Sequence, residues 1–153
     1  MGRYPRDHEA RPMWGCPSCG RTFAARNQTH TCRALGNLDR HFDRCDTHVR
    51  VTFDRVLAAM DAIGSYDVLP ELTRIALHRR MSFAALIPKR RWLDGHVVLA
   101  RTIASVRFRR VDAYSPRNVV HAFRLSGPAD VDTEFGAWLA EAYAVGEQRH
   151  LGR

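Results

Sequence analysis

The stretch Trp14-Gly15-Cys16-Pro17-Ser18-Cys19-Gly20, followed by His30-Thr31-Cys32, limits what this chain can fold into more than any other. It gathers Cys16, Cys19 and Cys32, three of the chain's 4 cysteines, around His30. Cys-x-x-Cys on a tight turn holds two sulfurs at the separation a tetrahedral metal needs. Pro17 stiffens that turn, and Gly20 can take the left-handed conformation that closes it. His-x-Cys on an extended segment sends both side chains to one side, because direction alternates along a strand. Cys16, Cys19, His30 and Cys32 thus form a closed ligand set, the chemistry of structural zinc rather than of a catalytic ion with an open position.

Two rivals carry less. A thioredoxin-like redox pair should open a helix after a buried strand, and no apolar run precedes Trp14. A secreted disulfide scaffold needs a signal peptide, whereas Met1–Met13 is polar, charged and proline-containing. The fourth ligand is the open position of the set. His41 and Cys45 share one face of a helix and are alternatives to His30; otherwise Cys45 is a small buried thiol on an amphipathic helix.

The 153 residues suffice for one compact domain with a metal-stapled appendage. Residues 1–13 read as a flexible lead-in, 14–34 as the knuckle and 37–150 as an α+β domain. Too few apolar residues lie in 14–34 to bury a core, so metal binding must order it. Asn37 caps a short helix over Leu38–Phe42. Asp46 or Thr47 caps a second, running to about Ile63, with Val49, Phe53, Val56, Leu57, Met60 and Ile63 on one face. Gly64 ends it.

Between residues 72 and 125 the apolar period changes to two. Leu72, Ile75 and Leu77, then Phe83, Ala85 and Ile87, then Leu93, Val97 and Leu99 predict strands separated by short basic turns. A short element around Val106, Phe108 and Val111 follows. Val119, His121, Phe123 and Leu125 alternate most clearly. The expectation is an antiparallel meander of four to five strands. Gly127-Pro128 opens a C-terminal amphipathic helix with Val131, Phe135, Trp138, Leu139, Ala142 and Tyr143 as its buried stripe.

The motif Trp14-x-Cys16-Pro17-x-Cys19-Gly20-Arg21-x-Phe23, with Gln28-x-His30-x-Cys32 and Leu38-Asp39-x-His41-Phe42, resembles an uncharacterised family of small bacterial proteins known only as a domain of unknown function. The ending Asp130-Val131-Asp132-x-x-Phe135-x-x-Trp138-Leu139-x-x-Ala142-Tyr143 is similar to that family's domain end. The resemblance implies a zinc-binding front on a helix–sheet–helix domain, loosely like frataxin-type α+β folds. It implies no activity or substrate.

The formal charge is +8, and Lys89 is the sole lysine among 24 basic residues. A basic balance favours phosphate-bearing partners. Arg79 and Arg80, then Lys89, Arg90 and Arg91, sit on successive turns, with Arg107, Arg109, Arg110 and Arg117 further on. Trp92 follows the second cluster. Arginine interleaved with aromatics suits backbone phosphates and unstacked bases. The first and third clusters are expected to share one sheet end. The sequence reading is therefore a cytoplasmic zinc-binding module without enzymatic chemistry, whose partner is nucleic acid, DNA or RNA. A protein-interaction or small-ligand-binding adaptor stabilised by structural zinc is the second reading. An enzyme using His78, His96 or His121 in a sheet cleft is the third. No apolar run approaches a membrane span. No phosphate loop, dinucleotide fingerprint or nucleophile elbow is present.

Overall fold

The computed structural model describes residues 12–24 and 35–149. His30, Cys32 and most of the lead-in lie outside the described residues. A small hairpin, β1 (Trp14–Gly15) and β2 (Thr22–Phe23), comes first. A 3-10 turn (Leu38–Phe42) and helix α1 (Thr47–Asp61) follow. Six strands come next: β3 (Asp67–Pro70), β4 (Ile75–His78), β5 (Ser82–Pro88), β6 (Leu93–Leu99), β7 (Phe108–Ser115) and β8 (Asn118–Leu125). A second 3-10 turn (Pro128–Asp130) precedes helix α2 (Thr133–Gly146).

The fold class is α+β, as the periodicity implies, but the sheet is larger and differently ordered. It has six antiparallel strands in the order β3-β4-β5-β6-β8-β7. The extra strand is β3, whose four residues end in proline and carry no run long enough to signal a strand. The meander expectation fails at β7. Strand β8 inserts between β6 and β7, so residues 100–107 cross the sheet and return β7 parallel to β6. Strand identity is decided by face. Leu93↔Leu125, Gly95↔Phe123, Val97↔His121 and Leu99↔Val119 put every odd residue of β8 on the helix side. Pairing β8 with β6 buries that whole row at once.

Both helices cover this one face. Val49, Phe53, Val56 and Met60 of α1 meet Phe135, Trp138, Leu139, Ala142 and Tyr143 of α2 over Ile75, Leu77, Leu86, Val97 and Phe123. Phe53 and Met60 are fully buried, and truncation to alanine costs about 3–5 kcal/mol at Phe53 and about 2–5 kcal/mol at Met60. Gly95 is required where β5 and β6 run under Phe123, since a Cβ there would meet the Ala85 carbonyl and the Phe123 ring.

Helix starts are cut by polar caps. Asn37 accepts the Asp39 amide at 2.8 Å. Asp132 accepts the Phe135 amide at 2.9 Å, so α2 begins at Thr133 and Pro128 opens a separate turn. Asp46 occupies the first cap of α1 without a side-chain bond to the helix.

The hairpin is latched to the sheet. The His78 Nε2–H donates to the Thr22 carbonyl at 2.8 Å, and His78 Nδ1 accepts from Ser82 Oγ at 3.1 Å. The Phe23 ring meets His78 edge-on at 5.8 Å. The Ala24 amide donates to the Arg80 carbonyl at 3.2 Å. Arg21, with a side chain only 5% exposed, pairs with Glu71 at 3.1 Å. The other Glu71 oxygen binds Arg74 at 2.8 Å.

Candidate metal hairpin and basic cleft

The residues read from sequence fall into three places. In the first, Trp14↔Phe23 and Gly15↔Thr22 register the hairpin, so Cys16 and Cys19 ride on its connecting turn. Gly20 has φ +75, the left-handed conformation that the Cys-x-x-Cys-Gly spacing predicts. The Cys16 amide donates to the Arg21 carbonyl and the Gly20 amide to the Cys16 carbonyl, each at 2.8 Å. Cys16 is buried. Among the described residues no three His, Cys, Asp or Glu side chains come within reach of one ion. Neither His41 nor Cys45 therefore joins Cys16 and Cys19.

His41 and Cys45 are engaged elsewhere. The His41 Nε2–H donates to the Glu71 carbonyl at 2.8 Å. The Cys45 thiol donates to the His41 carbonyl at 3.6 Å. Burial, with the Asp46 carboxylate beside it, pushes the Cys45 thiol up, so it stays protonated and unreactive at neutral pH.

The second place is the sheet, with its three histidines. They do not converge. His121 faces the helices, while His78 and His96 face the other side. His121 is fully buried; its Nδ1–H donates to the Val119 carbonyl at 3.0 Å, and its Nε2 accepts the Ile103 amide at 3.0 Å. That pair of bonds pins the crossover loop to the sheet. Burial lowers all three histidines, opposed at His78 and His121 by carbonyl hydrogen bonds. His96 falls to about 4, with Arg74 adding to the effect of burial. Each ring is neutral at pH 7 and serves packing or backbone satisfaction.

The third place is the set of basic clusters, which divides by whether each cation already has a partner. Arg107 binds Asp132 at 2.9 Å, Glu134 at 3.1 Å and the Asp130 carbonyl at 2.6 Å. Its guanidinium lies 5.2 Å from the Trp138 ring centroid. It serves the acidic first turn of α2. Arg110 pairs with Asp112 at 2.6 Å. Arg79 reaches Ser65 at 3.4 Å and Glu147 at 4.0 Å. Arg80 binds the Gln148 side chain at 3.3 Å, and its amide holds the Gly146 carbonyl at the end of α2.

Lys89, Arg90 and Arg91 are exposed on the β5–β6 turn. No described acid pairs with any of them. Their backbone is fixed all the same. The Asp46 amide donates to the Arg90 carbonyl at 2.7 Å, and the His48 Nε2–H to the Arg91 carbonyl at 2.6 Å. These bonds bring the 3-10 turn and the start of α1 against the basic turn. Arg40 and Arg44, exposed and likewise unpaired among the described residues, then face Lys89 and Arg90 across a cleft of about 730 Å³. Arg109 is exposed on β7.

The expectation that the first and third clusters share an end is corrected. Because residues 100–107 cross the sheet, β7 starts opposite Phe123, near the end that carries Lys89–Arg91. Arg79 and Arg80 lie at the other end. Arg40 and Arg44 escaped the sequence reading because they lie in a segment explained by its cap and helix start; their spacing of four was the available signal. One face of Trp92 is already taken. Arg124 stacks on it at 4.1 Å from the ring centroid, while also binding Asp94 at 2.7 Å.

The model of a domain of unknown function, DUF5655, matches residues 38–146. The chain belongs to this family. The match begins at the 3-10 turn and ends with α2, so it spans the whole helix–sheet–helix unit and leaves the cysteine hairpin outside. No curated protein and no solved structure matches the chain. Among the described residues no helix is long and apolar enough to cross a membrane.

Proposed function

We propose that this DUF5655 protein binds nucleic acid through the basic end of its sheet, and that a zinc ion orders its N-terminal hairpin. The observation that carries the binding reading is the segregation of cations by pairing. Arg107 and Arg124 are paired in mostly covered positions and Arg110 is paired at the surface, whereas Lys89, Arg90 and Arg91 stand exposed, with no partner among the described acids, on a turn whose backbone is tied down. An exposed cation cluster on a rigid frame attracts phosphates at long range and releases counterions when it meets them. Of the residues assigned from sequence, Lys89, Arg90, Arg91 and Arg109 make the phosphate contacts. Arg80 and Arg107 tie distant segments of the fold, and Arg79 and Arg110 are occupied in surface pairs with Glu147 and Asp112.

The test is anisotropy of labelled oligonucleotides across a salt series. Binding at low salt that weakens steeply as salt rises supports the reading. No binding at low salt contradicts it.

The metal reading rests on the turn itself. Cys16 and Cys19 on one hairpin turn, with Gly20 in the left-handed region, supply half of a tetrahedral site. His30 and Cys32 complete the set in this proposal. The ion's chemistry there is structural: it neutralises thiolates and ties the turn to the chain that follows. Elemental analysis should find about one zinc per chain, and Cys16→Ser should lower it. Metal-free protein with an ordered hairpin contradicts this half of the proposal.

A further inference from the structure

Resting on the nucleic-acid reading, we infer that the cleft between the 3-10 turn and the β5–β6 turn grips the backbone of a single strand, without reading its bases. Arg40 and Arg44 form one wall; Pro88, Lys89 and Arg90 form the other. The four cations carry no described ion pair and converge on one space of about 730 Å³.

A duplex presents its phosphates on the outside of a stiff, wide rod, and such a rod cannot put one phosphate between two facing walls. A single strand is thin and flexible enough to thread the space and meet both. Cation-lined grooves that follow one backbone are the usual design for single strands. Base selectivity needs stacking rings or base-edge donors. No Phe, Tyr or Trp lines this cleft, the one ring that does, His41, is tied to the Glu71 carbonyl, and Arg124 stacks on Trp92 beside it. The lone carboxylate at the rim, Asp43, opposes the bound phosphates. Contact of all four cations with one strand gives a log–log salt slope of about −3, at ~0.7 per phosphate.

The experiment compares a labelled oligothymidylate, a mixed single strand and a duplex of equal length. Partners are the intact protein, Arg40→Ala/Arg44→Ala and Asp43→Asn. The expected result is at least about tenfold preference for both single strands over the duplex. The two single strands should differ by no more than about twofold. The double variant should lose about tenfold or more while its melting curve is unchanged, because both side chains are exposed and unpaired. Asp43→Asn should bind about twofold tighter, since it removes the opposing charge. Equal or tighter duplex binding overturns the inference while leaving the nucleic-acid reading intact. So does a double variant that binds like the parent. A nucleoside triphosphate that competes at the strand's own concentration reassigns the cleft to small phosphoesters. Absence of any strand binding at low salt removes both readings.

Discussion

Arg107 and Arg90 belong to the same residue type, sit near the same end of the sheet and have opposite roles. Arg107 is three-quarters covered, with its side chain 26% exposed, and it spends its donors on Asp132, Glu134 and the Asp130 carbonyl. Arg90 gives only its carbonyl to the fold and leaves its guanidinium in solvent. The contrast separates charge that builds the molecule from charge available to a partner. A formal charge of +8 does not distinguish them; pairing does.

The largest effect expected in a test of that division is on stability as acid is added. His96 falls to about 4 in the folded chain, and His78 and His121 are also lowered by burial. The unfolded chain therefore takes up protons first, near the ordinary histidine value of about 6.5. Stability should be full above that pH and decline as pH drops toward 4, with His96 alone contributing on the order of 3 kcal/mol. Asp132 is held below its ordinary value by the Phe135 amide and then by Arg107, so its share is lost only at still lower pH. Denaturant melts of the parent and Arg107→Ala should consequently run parallel between pH 7 and pH 5. Divergence in that window would mean that Arg107, not the histidines, sets acid sensitivity.

Next in size is the loss of binding when the unpaired turn is stripped. Lys89→Ala/Arg90→Ala/Arg91→Ala should weaken oligonucleotide affinity by a factor on the order of 10². Its unfolding free energy should stay within about 0.5 kcal/mol of the parent, as expected for exposed unpaired sites. Arg107→Ala should do the reverse. Loss of its ion pairs and its packing on Trp138 should cost about 2 kcal/mol of stability with affinity unchanged, measured on the same two instruments. Arg124→Ala should cost about 1 kcal/mol, because Asp94 loses its partner and Trp92 its cover. Destabilisation by the triple variant, or weak binding by Arg107→Ala, would erase the contrast.

Part of this was legible in the sequence. The stripes Val49-Phe53-Val56-Met60 and Phe135-Trp138-Leu139-Ala142 announced α1 and α2, because a helix must bury one face at a 3.6 period. The alternation of Val119, His121, Phe123 and Leu125 announced β8. Strand β3 was silent, because four residues ending in Pro70 carry too little pattern. Strand order was silent for a different reason. Local alternation says which face a residue takes, and the choice of β6 as neighbour of β8 depends on matching two whole rows across the core. The irregularity at Phe108–Arg110, where the β7–β8 register shifts, also hid β7's true length. In the basic site, the run Lys89-Arg90-Arg91 was visible as charge on a turn. That Arg107 is consumed by the start of α2, and that Arg40 and Arg44 face Lys89 and Arg90, depends on contacts between segments far apart in the chain.

The most direct measurement is the salt slope of single-strand affinity for three proteins side by side: the parent, Arg107→Ala and Lys89→Ala/Arg90→Ala/Arg91→Ala. Each lost phosphate contact should flatten the slope by about 0.7. The account predicts coincident slopes for the parent and Arg107→Ala, with the triple variant flatter by about two units. Equal slopes for all three proteins, or a flattening confined to Arg107→Ala, would contradict it.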